Sequence, residues 1–219
     1  MSGLATRSTS RPNPRLIAAF AVGAAGLAIT GGGVYAALNA TASNTTAQNA
    51  TSGILSLTMA NNGVGFSQGV ANLAPGDVVN RYVTLTQGAD LAGENLTLGV
   101  QASPATTKLT ADEVKGLQVI VTQCVGGTWT TSGAGTCSGT TQQLAPKTPL
   151  KTLLTTPATL IPGSLAAGST LNLQVSLNLP NQDETTVNGD APTNSIQGLS
   201  SALTWTFSET QRTATTTGS

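Results

Sequence analysis

Ten residues near the C-terminal third, Thr170-Leu171-Asn172-Leu173-Gln174-Val175-Ser176-Leu177-Asn178-Leu179, alternate polar and apolar without a break. A strand sends successive side chains to opposite faces, whereas a helix would scatter these leucines around its circumference. The segment therefore predicts a half-buried antiparallel strand, with Leu171, Leu173, Val175, Leu177 and Leu179 on the core side. A lone strand of this kind cannot exist, because its apolar face and its backbone groups both need partners.

The chain offers those partners. Leu55, Leu57 and Met59 share one face of Ile54–Met59, and Val79–Thr86 and Leu96–Gln101 alternate in the same way. Leu117–Gln123 reads as a strand, and Leu203–Ser208 points Leu203, Trp205 and Phe207 inward. Phe66–Leu73 is a weaker candidate. Asn61-Asn62-Gly63, Ala74-Pro75-Gly76-Asp77 and Gln87-Gly88-Ala89-Asp90 are turn signals. Thr110 with Glu113 predicts a helix start that Gly116 limits to about one turn. Residues 140–169, with prolines at 146, 149, 157 and 162, predict irregular chain with short strands only. Residues 180–195 form a polar loop. Short strands with regular turn signals predict an all-β fold, a jelly-roll-like antiparallel β-sandwich over residues 53–212, after a cleaved N-terminal signal helix. The pattern does not order the strands.

Only 8% of residues are charged, against roughly 25% in an average soluble protein. Disordered chains are usually charge-rich and poor in branched aliphatics, and this one is neither. Aromatics are 3%, so the core must be aliphatic. From residue 38 onward six Lys/Arg face nine Asp/Glu, a net charge of 6 − 9 = −3. No basic patch suggests a nucleic-acid partner. High Ala/Thr and low Lys point to a GC-rich Gram-positive source.

The N-terminus has a different character. Arg7, Arg11 and Arg15 precede fourteen uncharged, mostly apolar residues, Leu16–Ile29, followed by Thr30-Gly31-Gly32-Gly33-Val34-Tyr35-Ala36-Ala37. A basic start, a short apolar run and small residues after it define a secretory signal peptide, residues 1–37. Cleavage falls after Ala37, or alternatively after Ala42. Such a chain meets the membrane only during export, although counting on to Leu38 reaches the length of an anchor. Residues 38–52 then form a flexible, uncharged N-terminal segment or a strand donated to another sheet. Residues 213–219 read as a disordered tail.

Cys124 and Cys137 bracket a Gly/Ser/Thr-rich stretch. Redox pairs favour Cys-x-x-Cys spacing. A structural disulfide closing one loop is the simpler reading for an exported chain.

Four blocks resemble the TasA/camelysin family. Gly31-Gly32-Gly33-Val34-Tyr35-Ala36-Ala37-Leu38-Asn39 resembles the end of its special signal peptide, processed by a SipW-type signal peptidase. Ser52-Gly53-Ile54-Leu55-Ser56-Leu57 resembles its first strand, Asn72–Asp77 its Leu-x-Pro-Gly-Asp turn, and Ser201–Arg212 its closing strand. The resemblance implies a jelly-roll sandwich with a role in the extracellular (biofilm) matrix. It also implies possible self-assembly into fibres, the N-terminal segment of one copy completing the sheet of the next.

Some relatives of camelysin are described as metalloproteases. This chain has no His, so a His-Glu-x-x-His zinc site and any His-based nucleophile activation are absent. No catalytic residue and no cofactor is expected. The weak metal candidates are Asp183, Glu184 and Asp190 in one polar loop, which could offer oxygens to a hard cation. Asp112 and Glu113 read as first-turn helix charges. The expectation is a secreted, non-enzymatic structural or assembly protein. The alternatives are an extracellular binding module and a camelysin-like secreted metalloprotease.

Overall fold

The computed structural model describes residues 52–63, 65–66 and 73–216. The expectations for the signal peptide, for its cleavage at Ala37 or Ala42, and for residues 38–51 lie outside these residues. So does most of the strand expected over Phe66–Leu73. Ser52–Ser219 belong to one compact unit.

The alternating segments become strands β1 (Leu57–Asn61), β2 (Val78–Gln87), β3 (Gly93–Ser103), β4 (Gln118–Val125), β5 (Thr140–Pro149), β6 (Ala158–Leu165), β7 (Thr170–Asn178) and β8 (Ala202–Gln211). Two short helices interrupt them, α1 (Lys108–Ala111) and α2 (Leu150–Thr155). One sheet has five strands in the order β1-β2-β7-β4-β5, and the other has three in the order β6-β3-β8. All pairings are antiparallel. After β2 every connection except β4 to β5 crosses between the sheets, so most neighbours in space are distant in sequence. The result is the all-β sandwich that the alternation predicts.

β7 lies at the centre of the larger sheet, between β2 and β4. Its register sets Val83 opposite Leu173 and Leu85 opposite Leu171 on one side, and Val121 opposite Val175 on the other. In the smaller sheet Leu98 pairs with Phe207 and Val100 with Trp205. The inward side chains of both sheets form one aliphatic cluster, in which Leu96, Leu98, Val121, Leu150, Leu173 and Val175 lose all contact with water. Burying a leucine contributes roughly 1.5–3 kcal/mol, so this cluster dominates the stability.

Three local expectations change. Residues 140–169 are not irregular, because β5, α2 and β6 occupy most of them. Both strands carry prolines, and both are edge strands, where a missing N–H removes no ladder bond to a second neighbour. The helix starts earlier than expected. Thr107 is its N-cap, Thr110 lies inside it, and Asp112 ends it. Asp112 acts after the helix, accepting the Val114 and Lys115 N–H groups at 2.9 and 2.8 Å. Finally, the face shared by Leu55, Leu57 and Met59 is unevenly covered, the first two half-buried and Met59 47% exposed on a five-residue edge strand.

The Pro75-Gly76 turn forms as its residues dictate. Asp77 N–H bonds Ala74 O at 3.0 Å, and Gly76 adopts φ +95°, a left-handed value that favours glycine.

Candidate functional site

β8 alternates like β7, but its environment differs. Leu203, Trp205, Phe207 and Glu209 face inward, while Thr204, Thr206, Ser208 and Thr210 face solvent. Unlike β7, β8 ends its sheet and pairs only with β3. Its inward row is consequently half-buried where that of β7 is buried. Phe66, from the chain after β1, stacks on Trp205 at 5.0 Å between ring centroids and reaches Phe207 at 6.3 Å. An apolar row rich in aromatic surface thus lies along a sheet edge whose outer backbone has no strand partner among the described residues. Such an edge is a template for another strand.

The remaining described aromatics, Tyr82 and Trp129, form a second cluster on the outer face of the larger sheet. The β4–β5 loop folds back across that face, closed by a disulfide between Cys124 and Cys137 with Cα atoms 5.4 Å apart. Trp129 Nε1 donates to Asn172 O at 3.1 Å, and Asn172 Nδ2 donates to Gly127 O at 2.8 Å. Ala134 O accepts from Asn80 Nδ2, Gln174 Nε2 and Tyr82 Oη. The loop therefore borrows the polar side chains of β2 and β7 as its anchor.

The acidic loop residues are drawn into structure rather than left open. The Glu184 carboxylate accepts the Ser195 hydroxyl and the Ile196 N–H, and Lys108 Nζ stands 3.9 Å away. These bonds hold Ile196 in the core. Asp183 accepts both the hydroxyl and the N–H of Thr185, and the hydroxyl does most to hold its carboxyl below the usual range. Asp190 closes a turn with Val187 through its backbone. The three residues share a loop without converging, and no group of three His, Cys, Asp or Glu suited to a metal occurs among the described residues.

Two features escaped the sequence reading. Three of the four lysines in the chain, Lys108, Lys115 and Lys151, line an open cleft with Asp112 and Glu113. Lys151 pairs with Glu113 at 3.2 Å and Lys108 with Glu184, so the cleft largely neutralises itself. Nothing in the spacing of residues 108, 115 and 151 announced it. The second is Glu209, a carboxylate on the inward face just beyond the expected end of the last strand. Extending the alternation of Leu203, Trp205 and Phe207 by one step would have found it.

A family model described as camelysin metallo-endopeptidase matches residues 13–216. The chain belongs to the camelysin family. The match extends from residue 13 to just past the end of β8. A search of curated proteins returns no match. The family description implies a catalytic metal, and the donor set of this member does not fit one. It lacks His, its two Cys are bonded to each other, and the Glu184 oxygens are taken by Ser195 and Ile196. A zinc centre of the usual kind needs three nitrogen, sulfur or carboxylate ligands around one point. No step of metal-assisted hydrolysis is assigned to this camelysin relative.

Proposed function

We propose that this camelysin-family protein is a secreted structural subunit of the bacterial cell surface or extracellular (biofilm) matrix, and that it assembles by strand donation. The observation that carries the proposal is the half-buried Leu203–Trp205–Phe207 row along the outer edge of β8, which has no strand partner among the described residues. The occupant is the segment 38–52 of a second copy. That segment contains no charged residue, so it can enter a sheet edge without burying a charge, and its threonines suit an extended backbone. Export frees the donor, with a SipW-type signal peptidase cutting after Ala37. The disulfide supports folding in an oxidising compartment. Among the described residues no helix is long and apolar enough to cross a membrane.

Electron microscopy of the exported protein at rising concentration tests this reading. Fibres, or a ladder of oligomers by light scattering, are the expected result, and deletion of residues 38–52 should leave only monomer. A protein that stays monomeric with this segment intact would refute assembly. The family description favours a second reading, a secreted metalloprotease. Casein cleavage that a chelator abolishes and added zinc restores would establish that reading instead.

A further inference from the structure

Glu209 sits on the inward face at the C-terminal end of β8, where a charge has no ordinary place. Both carboxylate oxygens are shielded from water and neither has a hydrogen-bond partner. Opposite it, at the end of β2, Gln87 is 1% exposed, and its Oε1 is likewise without a partner. Gln87 Nε2 uses one hydrogen on Leu91 O at 3.0 Å. Its side chain is close enough to influence the Glu209 carboxyl, although no bond between them is formed in this arrangement. Gly93, across from β8 on β3, leaves the space, since a Cβ there would overlap the carboxylate.

Gln87 Nε2 has one hydrogen left to offer, so with Glu209 ionised at least two of these three shielded acceptors stay unsatisfied, and each orphan costs about 1–3 kcal/mol. We infer that Glu209 is held protonated and closes with Gln87 a neutral acid–amide pair that latches β8 to β2 across the two sheets. The carboxylic O–H donates to Gln87 Oε1, and the second hydrogen on Gln87 Nε2 donates to the other Glu209 oxygen. One proton from solvent satisfies all three oxygens. A divalent cation is the rival occupant, but Ca²⁺ takes six to eight oxygens and Glu209 with Gln87 offers three shielded side-chain oxygens.

No charge competes for this proton. Burial pushes the Glu209 carboxyl up, and only the Gln87 side chain opposes it. β1, β6 and β7 carry no titratable residue. Asp90 is exposed, Glu94 is engaged by Thr213, and Arg212 by Thr213 and Thr215. Arg81 shares the inward face of β2 with Gln87, but six strand residues separate them, about 20 Å. Because the folded state resists ionisation, the contribution of Glu209 is fully present below the ordinary glutamate range. It is lost as pH rises through the elevated folded value. The latch is therefore a pH-sensitive clasp on the end of β8, and it does not depend on whether that strand accepts a donor.

The test is a carbon NMR titration of the glutamate side chains in the full chain, with melting curves from about pH 5 to about pH 8. One carboxyl should remain protonated after the exposed ones have ionised, and Glu209→Gln should delete that resonance. The wild-type melting temperature should fall across the range relative to Glu209→Gln, whose amide keeps both bonds at every pH. Should the variant fold poorly, Gln87→Leu serves instead, and removing the amide should move the late titration. Either a Glu209 that titrates with the other glutamates or a parallel decline in both proteins would overturn the latch. So would calcium chloride raising the wild-type melting temperature at the upper pH and not that of Glu209→Gln, since a cation would then fill the site.

Discussion

At the scale of single residues, conformational and polar details decide what can be exchanged. Gly133 and Gly135 both lie in the disulfide loop with left-handed backbones, φ +62° and +77°. Open space surrounds the first, while a Cβ on the second would strike the Tyr82 ring. Gly133→Ala should cost about 1–2 kcal/mol for the backbone alone. Gly135→Ala should cost clearly more, and the difference, read from denaturant midpoints, reports the Tyr82 contact. Asp112 behaves oppositely to Glu209. The N–H of Lys115 first, then that of Val114, holds its carboxyl below the usual range. A depressed folded value contributes stability above the ordinary carboxylate range and loses it as pH falls through the folded value. The residue is only partly buried and its charge is screened by solvent, so Asp112→Ala should cost under about 1 kcal/mol at neutral pH. That difference from wild type should vanish in acid melts.

At the scale of elements, the disulfide loop and the proline strands carry the lesson. Cys124 and Cys137 are 13 residues apart, and a loop of about that size contributes roughly 3 kcal/mol on a chain-entropy account. The loop also anchors through Ala134 O and Trp129, so reduction should not free it completely. Replacing both Cys by Ser should lower stability by up to about 3 kcal/mol. Trp129 fluorescence should shift toward that of a wetter indole in the same variant. β5 and β6 were illegible as strands because proline is a strand breaker by propensity. Only the edge positions of these strands make it harmless. The early start of α1 has a similar cause. Thr107 accepts the cap position, and Thr110, which carries the stronger local signal, is buried within the turn.

At the scale of the molecule, the two sheets share one core, so neither should unfold alone. Leu98 belongs to the smaller sheet and Leu173 to the larger, and both are fully buried. Leu98→Ala and Leu173→Ala should each cost about 2–5 kcal/mol. Both should lower a single transition, coincident by circular dichroism and by tryptophan fluorescence, with no second step. Two separate transitions would show that the sheets are independent. The half-open β8 edge belongs to this scale as well, because its exposure follows from the order of strands rather than from its residues.

The sequence alone determined the fold class, the strands that became β2, β3 and β4, the inward rows of β7 and β8, and the Cys124–Cys137 disulfide. These follow from side-chain periodicity and turn chemistry, which act over a few residues. Tertiary structure decided which strands lie at edges, that Glu184 is spent on the backbone of Ile196, and that Glu209 meets Gln87. Those outcomes pair residues from 12 to 122 positions apart in the chain. No local pattern encodes such pairings; they form only when two sheets close over a common core.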